Sequence, residues 1–155
     1  MPALREVTSI PIISILEAPL LLAASIGSRT GIITTSRRWE LLLAREVASV
    51  GMTHLNSAGV VSSGFSTSEL HDLPHEQVKT TLGAVSKERL VQDPARAADV
   101  IVLGCAGMAG LEDAIRAACG EGVVVLDPVR CGLELATTLC RLRVQTAKAG
   151  LYGTG

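Results

Sequence analysis

The sequence predicts an α/β protein built on a parallel sheet with helices on its faces. Three observations predict it. Short apolar runs rich in branched side chains recur without polar alternation, as strands covered on both sides require. Amphipathic stretches with helix start and stop residues separate those runs, which is the order of a crossover-connected parallel sheet. The chain has 155 residues, of which 48% are hydrophobic and 19% charged. That is enough to bury a core without a disulfide or a metal staple.

Taken in order, residues 10–16 (Ile-Pro-Ile-Ile-Ser-Ile-Leu) form the first strand-like run. A helix follows from Ala18 to Ile26, with Pro19 tolerated in its first turn and Gly27 ending it. Gly31 to Thr35 reads as the next strand. Ser36 stands where it can cap a helix from Arg37 to Val50, stopped by Gly51. His54 to Val61 reads as a third strand, and the Gly/Ser/Thr-rich residues 62–68 as a loop. Pro74 to Leu90 has helical composition. Asp99 to Leu103 and Gly122 to Leu126 read as buried strands, followed by helices over Gly107 to Cys119 and Val129 to Arg143. The tail from Lys148 is Gly-rich.

Composition excludes several functions. Fourteen Lys and Arg against fifteen Asp and Glu give a net charge of -1, which draws the chain to no nucleic acid. Trp39, Phe65 and Tyr152 are the only aromatic residues, too few for base stacking or an aromatic-lined sugar site. The most apolar stretch, residues 10–26, is interrupted by Pro11, Glu17 and Pro19 and reads neither as a membrane span nor, with Glu6 cancelling Arg5, as a signal peptide. Cys105, Cys119, Cys131 and Cys140 lack CxxC spacing and read as free thiols of a cytoplasmic protein, with Cys119 and Cys140 in the core. His54, His71 and His75 are too scattered for a metal site, and His71 and His75 read as part of a solvated loop.

Ligands of open parallel sheets bind beyond the carboxyl ends of the strands. Three such ends carry polar or reactive residues: Thr34-Thr35-Ser36, Gly104-Cys105-Ala106-Gly107 and Asp127-Pro128. Cys105 follows a strand directly, and a helix expected from Gly107 would aim its positive end at the thiol and favour the thiolate. A thiolate there is able to act as base or nucleophile. The plainer alternative is a buried cysteine at a tight turn. Thr34 and Thr35 offer hydroxyls to a substrate oxygen, or serve only to start a helix. Asp127 reads foremost as a helix cap, with Pro128 in the first turn behind it.

At these residues the chain resembles the Asp/Glu/hydantoin racemase family, and most closely its hydantoin (allantoin-type) branch. The resemblance is carried by residues 10–18, Gly-Ile-Ile-Thr-Thr (31–35), Ala-Asp-Val-Ile-Val-Leu-Gly-Cys-Ala-Gly-Met (98–108), Leu-Asp-Pro-Val (126–129) and Thr-Ala-Lys-Ala-Gly-Leu-Tyr (146–152). It implies a cofactor-independent isomerase with two similar α/β halves, each giving one cysteine to the cleft between them. It implies Cys105 as the second catalytic cysteine. Thr34, Thr35, Gly104, Ala106, Gly107 and Pro128 become substrate-binding residues for a small hydantoin or amino-acid derivative.

The first cysteine of that pattern would lie upstream of residues 10–18, where this chain has none. The resemblance therefore implies that residues 31–127 form the C-terminal half, with 1–28 and 128–155 as remnants of the other half. A strand at 10–16 without sheet partners would leave an apolar edge, and the chain is expected to aggregate or to form a homo-oligomer through it. Three functions follow as expectations: a racemase, an inactive remnant or subunit of a longer relative, and a single-cysteine decarboxylase. Cys131 is the candidate substitute for the second base.

Overall fold

Each strand of the sheet finds its neighbours through parallel pairing alone. The computed structural model describes residues 2–153. In it, β1 (Thr30–Thr34), β2 (Gly59–Ser62), β3 (Val100–Leu103) and β4 (Val124–Leu126) form one sheet in the order β2-β1-β3-β4. Ile32 lies opposite Val60 on one side and Val102 on the other. The central strands β1 and β3 are buried along their whole length, which accounts for their unalternating sequence.

Helices cover both faces. Ile33, Val61, Ile101 and Leu103 project to the side packed by α5 (His75–Ser86) and α6 (Glu112–Cys119), through Val78, Leu82 and Ile115. Ile32, Val60 and Val102 project to the other side, against Leu20 of α2 (Glu17–Ala23) and Val47 of α3 (Arg37–Ser49). This division follows from the two-residue period of the strands. A short α1 (Pro2–Val7), a one-turn α4 (Glu69–Asp72) and α7 (Pro128–Arg141) complete the helices, and a π-helical turn (Lys87–Val91) extends α5. Gly31 makes room for that turn, since a Cβ there would stand 2.7 Å from Leu90 Cδ2.

The amino ends of β1 and β3 are tied by one side chain. The Asp99 carboxylate accepts hydrogen bonds from Ser28 N (2.8 Å), Ser28 Oγ (2.6 Å) and Arg29 N (2.8 Å). Burial works against its charge, but the bonds from Ser28 and Arg29 outweigh it and hold Asp99 below the usual carboxylate range. Gly27 allows the approach, because a Cβ there would come within 2.2 Å of Val100 Cγ2.

Five local expectations are corrected. Residues 10–16 form no strand and join neither edge of the sheet: the segment lies beside α7 instead, where Ile12 and Ile13 share a cavity with Leu135 and Leu139. Ser14 ends it by accepting Ala18 N on its carbonyl (3.0 Å) and Leu16 N on its hydroxyl (3.1 Å), while Thr146 ties the other end to Ser9 and Ile10. The helix expected over 107–119 is split into a 3-10 turn (Ala106–Met108) and α6, because Gly110 takes a left-handed φ of +86° between them. Ser36 occupies the first position before α3, but its side chain makes no capping bond. Cys140 is exposed on α7 rather than in the core. The expected strand from His54 also begins later, at Gly59, after a 3-10 turn (Thr53–Leu55).

The apolar surface expected near the first segments is present: Ile10 is 68% and Ile15 52% exposed. Residues 154–155, the end of the Gly-rich tail, lie outside the described residues.

Candidate active site

The carboxyl ends of the strands converge on Cys105. Its backbone is extended (φ -148°, ψ 131°) and the next three residues form the 3-10 turn, closed by Met108 N donating to Cys105 O at 3.0 Å. Met108 is fully buried and Leu111 nearly so, which roots the turn in the core and leaves Cys105 half-buried at its mouth. As the opening residues of a helical turn, Ala106 and Gly107 have no acceptor for their amides within the turn. The helix dipole expected at the thiol is thus reduced to a single turn.

Gly104 is required by its neighbours. A Cβ there would stand 2.8 Å from Ile32 Cγ2, 3.0 Å from the Ile33 carbonyl oxygen and 3.0 Å from Leu43 Cδ1. Its amide donates to Ile33 O at 2.7 Å, and its carbonyl accepts from Thr34 Oγ1 at 3.3 Å. Thr34 and Thr35 are both buried, and the Thr35 carbonyl accepts from Gly64 N at 3.0 Å. Asp127 caps α7, accepting from Val129 N at 2.7 Å and Arg130 N at 3.3 Å, and Pro128 opens the helix as its spacing predicts.

A cavity of about 70 Å³ is lined by Cys105, Gly104, Val102, Leu103, Leu43, Ile15, Leu16 and Pro128. Its wall is apolar apart from the thiol. The structure therefore brings Cys105, Gly104 and Pro128 together, with Thr34 holding Gly104 from behind. Ala106 and Gly107 stand on the adjoining turn, and Thr35 faces the loop after β2.

Cys131 is placed elsewhere. It is buried in a different, larger cavity beside β4, lined also by Asp127, Arg130 and Arg116. Burial and the charge of Asp127 push its thiol up, away from the thiolate. Burial likewise raises Cys119, which packs against the core.

Two further side chains take their places from the fold: His71, read in the sequence as part of a solvated loop, and Glu40, which the sequence reading did not single out. His71, on α4, has its Nε2 3.5 Å from the point where a Cβ on Gly107 would stand, and Cys105 Sγ lies 3.6 Å from the same point. Its place on a loop after a strand's carboxyl end was the available signal. Glu40, on α3, accepts from both Ser62 N and Ser62 Oγ at 2.8 Å, while Arg89 donates to Ser62 O at 2.9 Å. Burial opposes the charge of Glu40, yet Ser62, Arg89 and Arg37 together keep it below the usual carboxylate range. Among the described residues no three His, Cys, Asp or Glu side chains cluster to hold a metal, and no helix is long and apolar enough to cross a membrane.

A parallel sheet with a cysteine at the carboxyl end of a central strand defines a class of α/β protein whose site lies on one edge of the fold. The chain belongs to the Asp/Glu/hydantoin racemase family: the family model described as "Asp/Glu/Hydantoin racemase" matches residues 1–136. The fold is that of an allantoin racemase from Pseudomonas fluorescens, with a TM-score of 0.83 and 29% identity, covering 99% of this chain and 63% of that one. A hydantoin racemase of Paenarthrobacter aurescens is 30% identical over 156 residues, 98% of this chain and 61% of the relative. An uncharacterized protein of Schizosaccharomyces pombe is 34% identical over 149 residues, 96% of this chain and 61% of the relative. The chain thus spans about three fifths of the length of the relatives it matches. Within that family, the relatives it is similar to include hydantoin racemases and allantoin racemases.

Proposed function

We propose that this chain carries Cys105 as the acid-base group of a cofactor-independent racemase, acting on the α-carbon of hydantoin- or allantoin-type amino-acid derivatives. The observation that supports it most is the half-buried thiol at the carboxyl end of β3, lining an apolar cavity at the start of a 3-10 turn. In a 5-substituted hydantoin the stereocentre carries its hydrogen next to a carbonyl. A thiolate removes that proton as charge moves onto the carbonyl oxygen. The Ala106 and Gly107 amides are suited to receive the charge. Gly104 and Pro128 shape the wall on which the ring rests, and Thr34 and Thr35 keep the strand end in place. On this reading residues 31–127 are one of two halves, and residues 1–28 and 128–155 belong with the other.

Inversion requires a proton donor on the face opposite Cys105. Cys131 is not assigned that role, because it lines a different cavity from the one Cys105 lines. That placement favours a second reading for the chain by itself, in which Cys105 exchanges the α-proton from one face with retention.

The test is α-proton exchange in D2O, followed by NMR on single enantiomers of a 5-substituted hydantoin, allantoin and glutamate. Exchange on the ring substrates that disappears in a folded Cys105→Ser variant is expected. Exchange undiminished in that variant would refute the assignment of Cys105.

A further inference from the structure

We propose that His71 carries protons between Cys105 and solvent, across the gap that the missing side chain of Gly107 leaves open. The proposal rests on the reading of Cys105 as an acid-base group. Nε2 of His71 and Sγ of Cys105 lie 3.5 and 3.6 Å from one point, so at most the two lengths together, about 7 Å, part them. They make no direct hydrogen bond, and one water fits the chemistry of such a span. The thiol is half-buried, whereas the imidazole is exposed, so the pair links the cavity to bulk water. The cavity wall itself supplies no acid or base beyond the thiol.

The need for such a link follows from the reaction. A thiolate that has taken a substrate proton becomes S–H and cannot take another. In the proposed step, S–H passes its proton to a bridging water, which passes one to Nε2 of neutral His71. The result is a thiolate and an imidazolium, and the imidazolium releases a proton to solvent from the outer nitrogen. No electrons change hands, and the balance closes when a solvent proton returns along the same path to the thiolate, which delivers it to the substrate carbon. Around His71 the ionisable groups are Glu69 and Asp72 on its own helix and His75 at the start of α5. Glu69 is held by Ser66 N and Oγ at 2.7 Å, and the turn Ala106–Met108 brings no ionisable group.

Two variants separate charge from relay. His71→Asn removes the titrating ring from an exposed position. Gly107→Ala fills the gap with a methyl at ordinary contact distance from both atoms, without a forbidden φ. The first measurement needs no turnover: iodoacetamide alkylation of Cys105 from about pH 5 to 9, resolved by peptide mass mapping, with exposed Cys140 as internal control. Wild type and Gly107→Ala are expected to label Cys105 about threefold to tenfold faster than His71→Asn within that range, with Cys140 labelled alike in all three.

The second measurement is α-proton exchange, expected to fall about tenfold in both variants with KM little changed, and to return in His71→Asn on adding imidazole. Superimposable alkylation profiles, or full exchange in Gly107→Ala, would overturn the proposal. A wild-type chain whose Cys105 labelling depends on His71 but that shows no exchange would support the coupling of His71 to Cys105 and refute the racemase reading alone.

Discussion

The hydroxyl of Thr34 donates to the carbonyl oxygen of Gly104 across the β1–β3 boundary, at 3.3 Å. Thr34 is 1% exposed, so the bond is made out of water's reach. It fixes the residue immediately before Cys105, at the point where the chain leaves the sheet. Thr34→Val keeps the shape and removes the donor. We expect a loss of about 1–2 kcal/mol in urea unfolding and a larger fractional fall in α-proton exchange than in substrate affinity. Thr34→Ser should recover most of both.

Gly104 and Gly107 stand three positions apart, on either side of Cys105, and respond differently to the same methyl. At Gly104 one of the three close neighbours is the Ile33 carbonyl, which is backbone and cannot swing away. Gly104→Ala is expected to cost about 1–3 kcal/mol by forcing the strand ends apart. Gly107→Ala meets nothing closer than 3.5 Å and should change unfolding little. Equal midpoints for the two variants in denaturant would contradict this account.

Acid stability follows from two carboxylates. Asp99 and Glu40 are both held below the ordinary carboxylate range in the folded chain, by bonds from Ser28 and Arg29 and from Ser62 respectively. A depressed carboxylate stabilises the fold fully above its unfolded pKa of about 4. That contribution drains away as the pH falls through the lower folded value. The unfolding midpoint should therefore drop with acidification below about pH 4. Asp99→Asn and Glu40→Gln should flatten that drop while lowering the plateau at neutral pH.

The four thiols should separate by accessibility. Cys140 is exposed, Cys105 and Cys119 are half-buried and Cys131 is buried with its thiol pushed up. Mass mapping under limiting alkylation is expected to label Cys140 first and Cys131 last. Cys131→Ala should leave α-proton exchange unchanged, since its cavity is not the one Cys105 lines. A large loss of exchange in that variant would restore Cys131 as a second base.

The sheet was legible because β1 and β3 are buried on both faces, so Gly-Ile-Ile-Thr-Thr and Val-Ile-Val-Leu carry their location in their composition. Cys105 was legible for a related reason: it is the first reactive residue beyond such a run. Asp127 could be read as a cap because capping is local. Residues 10–16 misled for lack of nonlocal information, since a branched apolar run says nothing of whether a strand edge is free to receive it. The helix through Gly110 misled because one left-handed residue ends a helix that propensity alone would carry through. His71 was read as solvated loop and Glu40 was not singled out because each acquires its place from neighbours 20 to 40 residues away in sequence, Gly107 and Ser62.

The Asp99 clamp binds β1 to β3 at the end of the sheet remote from Cys105. One end of these strands is pinned by a single carboxylate while the other opens into loops. Mechanical integrity and chemistry are thereby assigned to opposite poles of the same two strands. Evolution, or a protein engineer, is then free to rewrite the loops after Thr34, Ser62 and Leu103 for new ring substituents while the register beneath them stays set. The same separation makes Asp99 a poor place to look for altered specificity, and a sound place to begin if the scaffold is to be made hardier.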